Sequence, residues 1–175
     1  MKQFLTPLAL GTLLGLSQCK KNDPEASLPE ATQTGANTFG CLVNGQAWRP
    51  GGNDGTSNYS VAYDPTYAQG TLSVATYRLT GNGADQQTLG FYSDSLRNVG
   101  VYKLRSKNHH QAAFINRLTS CTYIASDPST YCKGTLTITR LDYKAGIVSG
   151  TFNFTLATLG CDTVKVTQGR FDKHL

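Results

Sequence analysis

From residue 38 onward, apolar and polar residues alternate in short runs, and Gly, Asn or Pro residues separate the runs. Alternation with a period of two is typical of β-strands that bury one face. The clearest runs are residues 58–65, 70–80, 134–143, 146–156 and 162–171. Because parallel strands need long crossovers, the short connections favour antiparallel pairing. The pattern predicts an all-β fold, a single antiparallel β-sandwich or partly closed barrel of about ten strands.

The sharpest local signal is "TFGCLVNGQAWRP", residues 38–50. Its two apolar runs flank Asn44-Gly45, the pair that a type I′ turn prefers because both central residues have positive φ. This stretch therefore predicts a β-hairpin. Further along, residues 93–99 are compatible with one helical turn, and no other stretch indicates a long helix.

Composition supports the β assignment. The only glutamates are Glu25 and Glu30, so residues 38–175 contain none, whereas Thr, Tyr, Val and Phe are frequent there. These residues favour strands over helices. The formal net charge is +5, and 15% of residues are charged. That excess of positive charge is mild, so it is only weak evidence for a nucleic-acid partner, and an exported location argues against one.

The N-terminal region has a different character. Residues 1–18 predict a lipoprotein signal peptide, because Lys2 precedes an apolar stretch too short to span a bilayer. The sequence that ends at Cys19 is similar to a lipobox, with Gln18 in place of a small residue. Ordinary cleavage that leaves Cys19 as a free thiol is the alternative. Polar residues 19–37 predict a flexible tether, and residues 38–175 form the predicted β domain.

The five cysteines are an odd number, whereas cysteines of exported proteins are usually paired. If Cys19 carries lipid, four remain, and four cysteines allow three pairings. We predict a Cys121–Cys132 bridge, because an Asp-Pro turn lies between them, and a Cys41–Cys161 bridge that joins the ends of the domain. Close C-x₂₋₄-C pairs are missing from the sequence, so we predict no metal site and no cofactor.

A family resemblance rests on the exported start, on "TGANTFGCLVNGQAWRP" and on the later stretches "GTLTITRLD", "GIVSGTFNFTL" and "VKVTQGRFD". In these features the chain resembles a family of β-rich lipoproteins from Bacteroidota. That family has no known function. The resemblance implies a lipid-anchored location in the bacterial cell envelope, at the periplasmic or surface face of the outer membrane. It implies no catalytic residues. The family more often has Asp or Asn where this chain has Gln168.

A basic stretch suggests a binding surface. Lys103, Arg105 and Lys107 occupy alternate positions, so on a strand they would form one stripe, which His109 would extend. Such a stripe would bind an anionic glycan or lipopolysaccharide; alternatively, it is a solvated sheet face or a charge-protected edge. His109 and His110 are adjacent and would point to opposite faces, so they are poorly placed to share a metal ion.

Aromatic residues suggest a second surface. Tyr59, Tyr63 and Tyr67 lie close together in the sequence and would stack on sugar rings, unless their rings belong to the core. No G-x-S-x-G, H-E-x-x-H or P-loop motif occurs in the sequence, and most of the aspartates that can be placed lie in turns.

Taken together, these patterns favour a membrane-anchored, non-enzymatic binding or structural module. The membrane partner would be reached through the lipid on Cys19. The alternatives are an envelope glycan hydrolase that uses an aspartate pair and a lipocalin-like carrier of a small apolar ligand. An empty apolar cavity would favour the carrier, and facing aspartates would favour the hydrolase.

Overall fold

A computed structural model describes residues 23–83 and 85–175. Eleven strands occur in this part of the chain: β1 Thr38–Val43, β2 Gln46–Trp48, β3 Tyr59–Asp64, β4 Thr71–Thr80, β5 Asp85–Ser93, β6 Gly100–Arg105, β7 His110–Asn116, β8 Cys121–Ile124, β9 Tyr131–Asp142, β10 Ile147–Ala157 and β11 Val164–His174. Short 3₁₀ helices span Pro24–Ser27 and Gly81–Gly83. None of the helices described is long and apolar enough to cross a membrane.

The strands form two antiparallel sheets. The six-stranded sheet has the order β2-β1-β11-β10-β9-β6, and the five-stranded sheet has the order β3-β4-β5-β7-β8. Both sheets contribute to one apolar core. The all-β prediction is confirmed, and of the two predicted architectures the structure shows the sandwich.

Aromatic rings fill the centre of the sandwich, between the two sheets. The ring centre of Phe152 on β10 lies 5.2 Å from that of Phe39 and 5.1 Å from that of Phe91. Phe171 on β11 lies 5.5 Å from Phe91. Each buried ring of this kind stabilises the fold by roughly 2–3 kcal/mol, so the aromatic cluster is a main source of cohesion between the two sheets.

The predicted Asn44-Gly45 hairpin is confirmed. Both residues have positive φ, 48° and 78°, and Val43 pairs with Gln46 across the turn. The predicted helical turn is wrong, because residues 94–99 form bends without helix. Leu96 in this connection is fully buried. The path of the β5–β6 connection is therefore determined by the packing of this apolar side chain.

A β-bulge interrupts β11 at Thr167-Gln168, where the pairing with β10 shifts register between Phe152 and Phe154. Gln168 has a φ of 52°, and a Cβ on Gly169 would lie 2.4 Å from the Phe152 ring. The site is therefore a bulge within a strand. Gln168 occupies a backbone conformation that Asn and Asp tolerate better.

Residues 23–37, which we call the strap, lie along the outer face of the six-stranded sheet. Leu28 is only 8% exposed. The guanidinium of Arg140 donates to the carbonyl oxygen of Gln33 at 2.6 Å. This packing differs from the flexible tether that composition predicts for residues 19–37. The predicted signal peptide, Cys19 and residues 20–22 lie outside the described residues.

Candidate functional site

Most of the hydrogen bonds that hold the strap on the sheet go to one buried carboxylate. Asp172 on β11 points to the outer face and is 1% exposed. Both of its oxygens accept hydrogen bonds, with donor–acceptor distances of 2.7 to 3.0 Å. The donors are the hydroxyls of Thr32 and Ser149 and the backbone N–H groups of Thr34, Gly35 and Ala36.

These hydrogen bonds also determine the charge of Asp172. Burial by itself would raise the pKa of this carboxyl, but the donors around it, with the Ala36 N–H first among them, hold its pKa well below the usual range. Asp172 is therefore ionised at neutral pH. The strap is fastened by charge-assisted hydrogen bonds, which are stronger than neutral ones.

The beginning of the strap is also tied to the outer face. The side chain of Asp23 caps the first short helix by accepting from the Glu25 N–H at 3.0 Å. Glu25 then forms an ion pair with Arg170 of β11, with 3.2 Å between Nη2 and Oε1. The chain therefore reaches the domain on the outer face of the six-stranded sheet, beside β11.

The same outer face carries a row of basic and polar side chains. Arg105 on β6 pairs with Lys133 on β9, Lys133 pairs with Thr155 on β10, and Thr155 pairs with Lys165 on β11. Lys103 lies two residues before Arg105, opposite Thr135. We call Lys103, Arg105, Lys133 and Lys165 the basic face; all four are exposed. No ion pair involves any of them within the described part of the chain.

The predicted basic stripe is therefore only partly correct: the structure places two of its three residues on one strand face. Lys103 and Arg105 lie outward on β6, as alternation predicts, but Lys107 lies in the turn after this strand with a φ of 53°. Lys133 and Lys165 were missed, because only the strand order β6-β9-β10-β11 places them beside Arg105.

Residues 54–174 match a family model described as "Domain of unknown function (DUF6252)". The chain belongs to this family. The match extends from the loop before β3 into the last residues of β11, and so includes Asp172 and the whole basic face. No curated protein and no solved structure gives a significant match.

In this DUF6252 protein the predicted tyrosine surface does not form. Tyr59 is 7% exposed, and its hydroxyl donates to the backbone carbonyl of Asp172 at 3.4 Å. Tyr63 packs against the core, and its hydroxyl donates to the Leu96 carbonyl at 3.1 Å. Tyr67 is 65% exposed, so the three rings do not share a surface on which a sugar could stack.

The predicted disulfides of the DUF6252 protein are wrong. Cys121 on β8 is bonded to Cys161 in the β10–β11 connection, with their Cα atoms 6.0 Å apart. Cys41 and Cys132 are buried thiols. The predicted Cys121–Cys132 bridge fails because β8 and β9 do not form a hairpin: β8 pairs with β7, whereas β9 pairs with β6 and β10. Burial raises the pKa of the Cys41 thiol to about 12 and also raises that of Cys132, which keeps both thiols protonated.

The remaining polar side chains predicted from sequence serve local structure. Asp64 and Asp127 accept hydrogen bonds from backbone N–H groups two residues further on, as expected of turn residues. His109 contacts Asp94, with 2.6 Å between Nδ1 and Oδ1, whereas His110 bonds to a serine of β5. In the range the structure describes, no three His, Cys, Asp or Glu side chains are grouped to hold a metal ion.

Proposed function

We propose that this protein is a lipid-anchored envelope module that binds a polyanionic surface without catalysis. One observation carries the proposal: the strap and the basic face occupy the same outer face of the six-stranded sheet. The bound chemistry is the phosphate and carboxylate groups of envelope glycans. Lipopolysaccharide is one source of such groups, and an acidic polysaccharide is another.

The distance to the proposed anchor supports this arrangement. Cys19 precedes Asp23 by four residues, and four extended residues span at most ~14 Å. Because Glu25 is tied to Arg170, the chain leaves the domain from the outer face of the sheet. An acyl chain on Cys19 would then hold the basic face close to the membrane and its polysaccharide layer.

The electrostatics of the basic face suit a polyanion. Neighbouring strands are about 4.8 Å apart, so Arg105, Lys133 and Lys165 lie within roughly 15 Å across their four strands. Each exposed basic residue near an anionic surface contributes about 1 kcal/mol. Such contributions are screened within ~8 Å at physiological ionic strength, so binding would weaken steeply as salt is added.

Two other functions receive less support. A carrier of an apolar ligand would need an apolar cavity, but aromatic side chains fill the centre of the sandwich. A glycan hydrolase would need two facing carboxylates, and the aspartates of this chain that bond to nearby backbone, such as Asp64 and Asp127, act as turn caps.

The first test concerns the anchor. Cys19→Ala should move the protein from the membrane fraction to the soluble fraction, since one residue carries the acyl chains. Mass spectrometry of the wild-type protein should show the added lipid. A variant that still sediments with membranes, together with a wild-type mass lacking lipid, would refute the anchor.

The second test concerns the basic face. Replacing its four residues with Gln should abolish retention on immobilised lipopolysaccharide and on alginate, and loss on only one matrix would identify the source. A matched control replaces four exposed basic residues elsewhere with Gln: Arg49, Arg97, Arg117 and Lys144. Exposed substitutions usually change stability by less than about 0.5 kcal/mol each. Equal loss in both variants would show that net charge, and not this face, is responsible.

A further inference from the structure

A cleft of about 320 Å³ lies at one end of the sandwich, where the β1–β2, β7–β8 and β10–β11 turns meet. This volume is within the range of small-molecule sites. Each of these three turns contributes a polar residue to the cleft: Asn44, Thr119 and Asp162, in that order. Asn44 bonds to the backbone of Lys165, whose side chain belongs to the basic face. Buried side chains of Trp48, Phe114 and Tyr123 form its apolar wall.

Polar residues line the floor of the cleft in strand register. Arg78 on β4 pairs with Gln87 on β5, Gln87 pairs with Asn116 on β7, and Asn116 pairs with Cys121 on β8. The disulfide from Cys121 to Cys161 braces this edge. A polar row on the inner side of a sandwich is unusual, because inner positions normally join the core.

Hydrogen bonds fix the position of the Arg78 guanidinium. The Gln87 Oε1 atom accepts from Trp48 Nε1 at 2.9 Å and from Arg78 Nη2 at 2.7 Å. The guanidinium also lies 5.6 Å from the centre of the Trp48 ring. Since Gln87 uses its carbonyl oxygen for both contacts, its amide nitrogen remains a donor at the cleft.

Arg78 has no ion-pair partner within 4.0 Å among the described residues. Its Nε atom is buried and bonds to no acceptor in that part of the chain. Asp85 lies two residues before Gln87 on β5 and is held by the Thr80 hydroxyl at 2.9 Å. Burial lowers the pKa of Arg78, and the charge of Asp85 opposes that effect. A partly desolvated guanidinium of this kind favours an incoming anion.

We propose that this cleft binds a small molecule bearing both a carboxylate and hydroxyl groups, a hexuronic acid or a glycan end of that type. The planar guanidinium of Arg78 matches a carboxylate, and the amides of Gln87 and Asn116 match hydroxyl groups. Asp162 lies exposed at the rim, where water screens its charge. The site shares no residue with the basic face and is independent of the proposed anchor.

Trp48 is the only tryptophan of the chain, so intrinsic fluorescence reports on the cleft directly. Full-length protein is titrated with D-galacturonate and, in parallel, with D-galactose. We expect a saturable change with galacturonate and affinity for galactose weaker by about tenfold or more, because the neutral sugar leaves the guanidinium unpaired. Arg78→Gln should weaken galacturonate binding by a similar factor, and Arg97→Gln, outside the cleft, should leave it unchanged.

Asp85→Asn provides a test that does not depend on removing Arg78. This substitution removes the negative charge on β5 that lies two residues from Gln87. With less electrostatic repulsion of its carboxylate, galacturonate should bind several-fold more tightly. Equal affinity for the two sugars, or unchanged affinity in both Arg78→Gln and Asp85→Asn, would overturn the proposal. The basic-face variant should bind galacturonate as the wild type does, so failure of this site and failure of the proposed function are distinguishable.

Discussion

Replacing Asp172 with Asn should release the strap while leaving the sandwich folded. The Oδ1 atom accepts from the Gly35 N–H and the Ser149 hydroxyl, and the Oδ2 atom accepts from residues 32, 34 and 36. An asparagine has one acceptor oxygen and presents an NH₂ group to the other donors. At least one oxygen's partners are therefore lost.

The size of the effect follows from those bonds. A hydrogen bond to a charged group contributes about 1.5–3 kcal/mol, and losing the partners of one oxygen removes roughly 3 kcal/mol from the docking of the strap. That free energy corresponds to roughly a hundredfold increase in the open population. The aromatic core does not involve Asp172, so the rest of the domain should keep its protection.

Hydrogen–deuterium exchange measured by mass spectrometry separates the two regions. Exchange of the Thr34, Gly35 and Ala36 amides should accelerate by roughly two orders of magnitude, while amides of β5 should be unaffected. Asp127→Asn is a suitable control, because Asp127 accepts a backbone bond from Ser129 in an exposed turn and makes no contact with the strap. If the strap of the Asp172→Asn protein exchanges as slowly as the wild type, the carboxylate does not hold it and the reasoning fails.

Low pH should weaken the docking of the strap in the wild-type protein, as Asp172→Asn does. The pKa of Asp172 is lower in the folded state than in the unfolded state. Its stabilising contribution is therefore complete above the unfolded value near 3.9 and is lost as pH falls further. The urea midpoint measured from pH 6 downwards should show this loss in the wild type. The same loss of stability in Asp172→Asn would assign it to other carboxyls.

Three further predictions concern stability and reactivity. Gln168→Asn should raise the free energy of unfolding by up to about 1 kcal/mol in urea denaturation, because Asn tolerates positive φ; no gain would contradict the bulge. Removing the Cys121–Cys161 bridge, which closes a loop with a sequence separation of 40, should cost about 4 kcal/mol; an unchanged melting temperature would contradict it. Cys41 and Cys132 should resist alkylation at pH 8 until the protein is denatured; mapping of alkylated peptides from the native protein checks this, and rapid native labelling would refute their burial.

The parts of the fold that the sequence could predict depend on local geometry. Asn44-Gly45 specified its turn by backbone preference alone, and alternation in β10 and β11 was strong enough to place both strands. The disulfides required more than spacing. Cys121 and Cys132 flank a plausible turn, yet β8 pairs with β7 and β9 pairs with β6 and β10, and no local pattern specifies those pairings.

The candidate sites were predicted poorly because long-range pairing creates them. Lys133 and Lys165 join Arg105 only through three strand pairings. The strap contains few apolar residues, so composition predicted a flexible segment, but polar bonds to one carboxylate fasten it instead. A weak signal was present: Asp172 is the only acidic residue within β11, and a buried charge needs partners.

The strap is held by Asp172, which lies near the C-terminal end of the chain, and this has a consequence for how the protein folds during synthesis and export. The Ala36 amide and the Asp172 carboxylate are 136 positions apart, and β1 pairs with no strand of the six-stranded sheet other than β2 and β11. A nascent or translocating chain therefore exposes β1 and the strap until its C-terminal strand emerges. Contacts of such large sequence separation form slowly. Premature termination before Asp172 would leave the N-terminal region undocked, so protease sensitivity of the strap would distinguish truncated chains from complete ones.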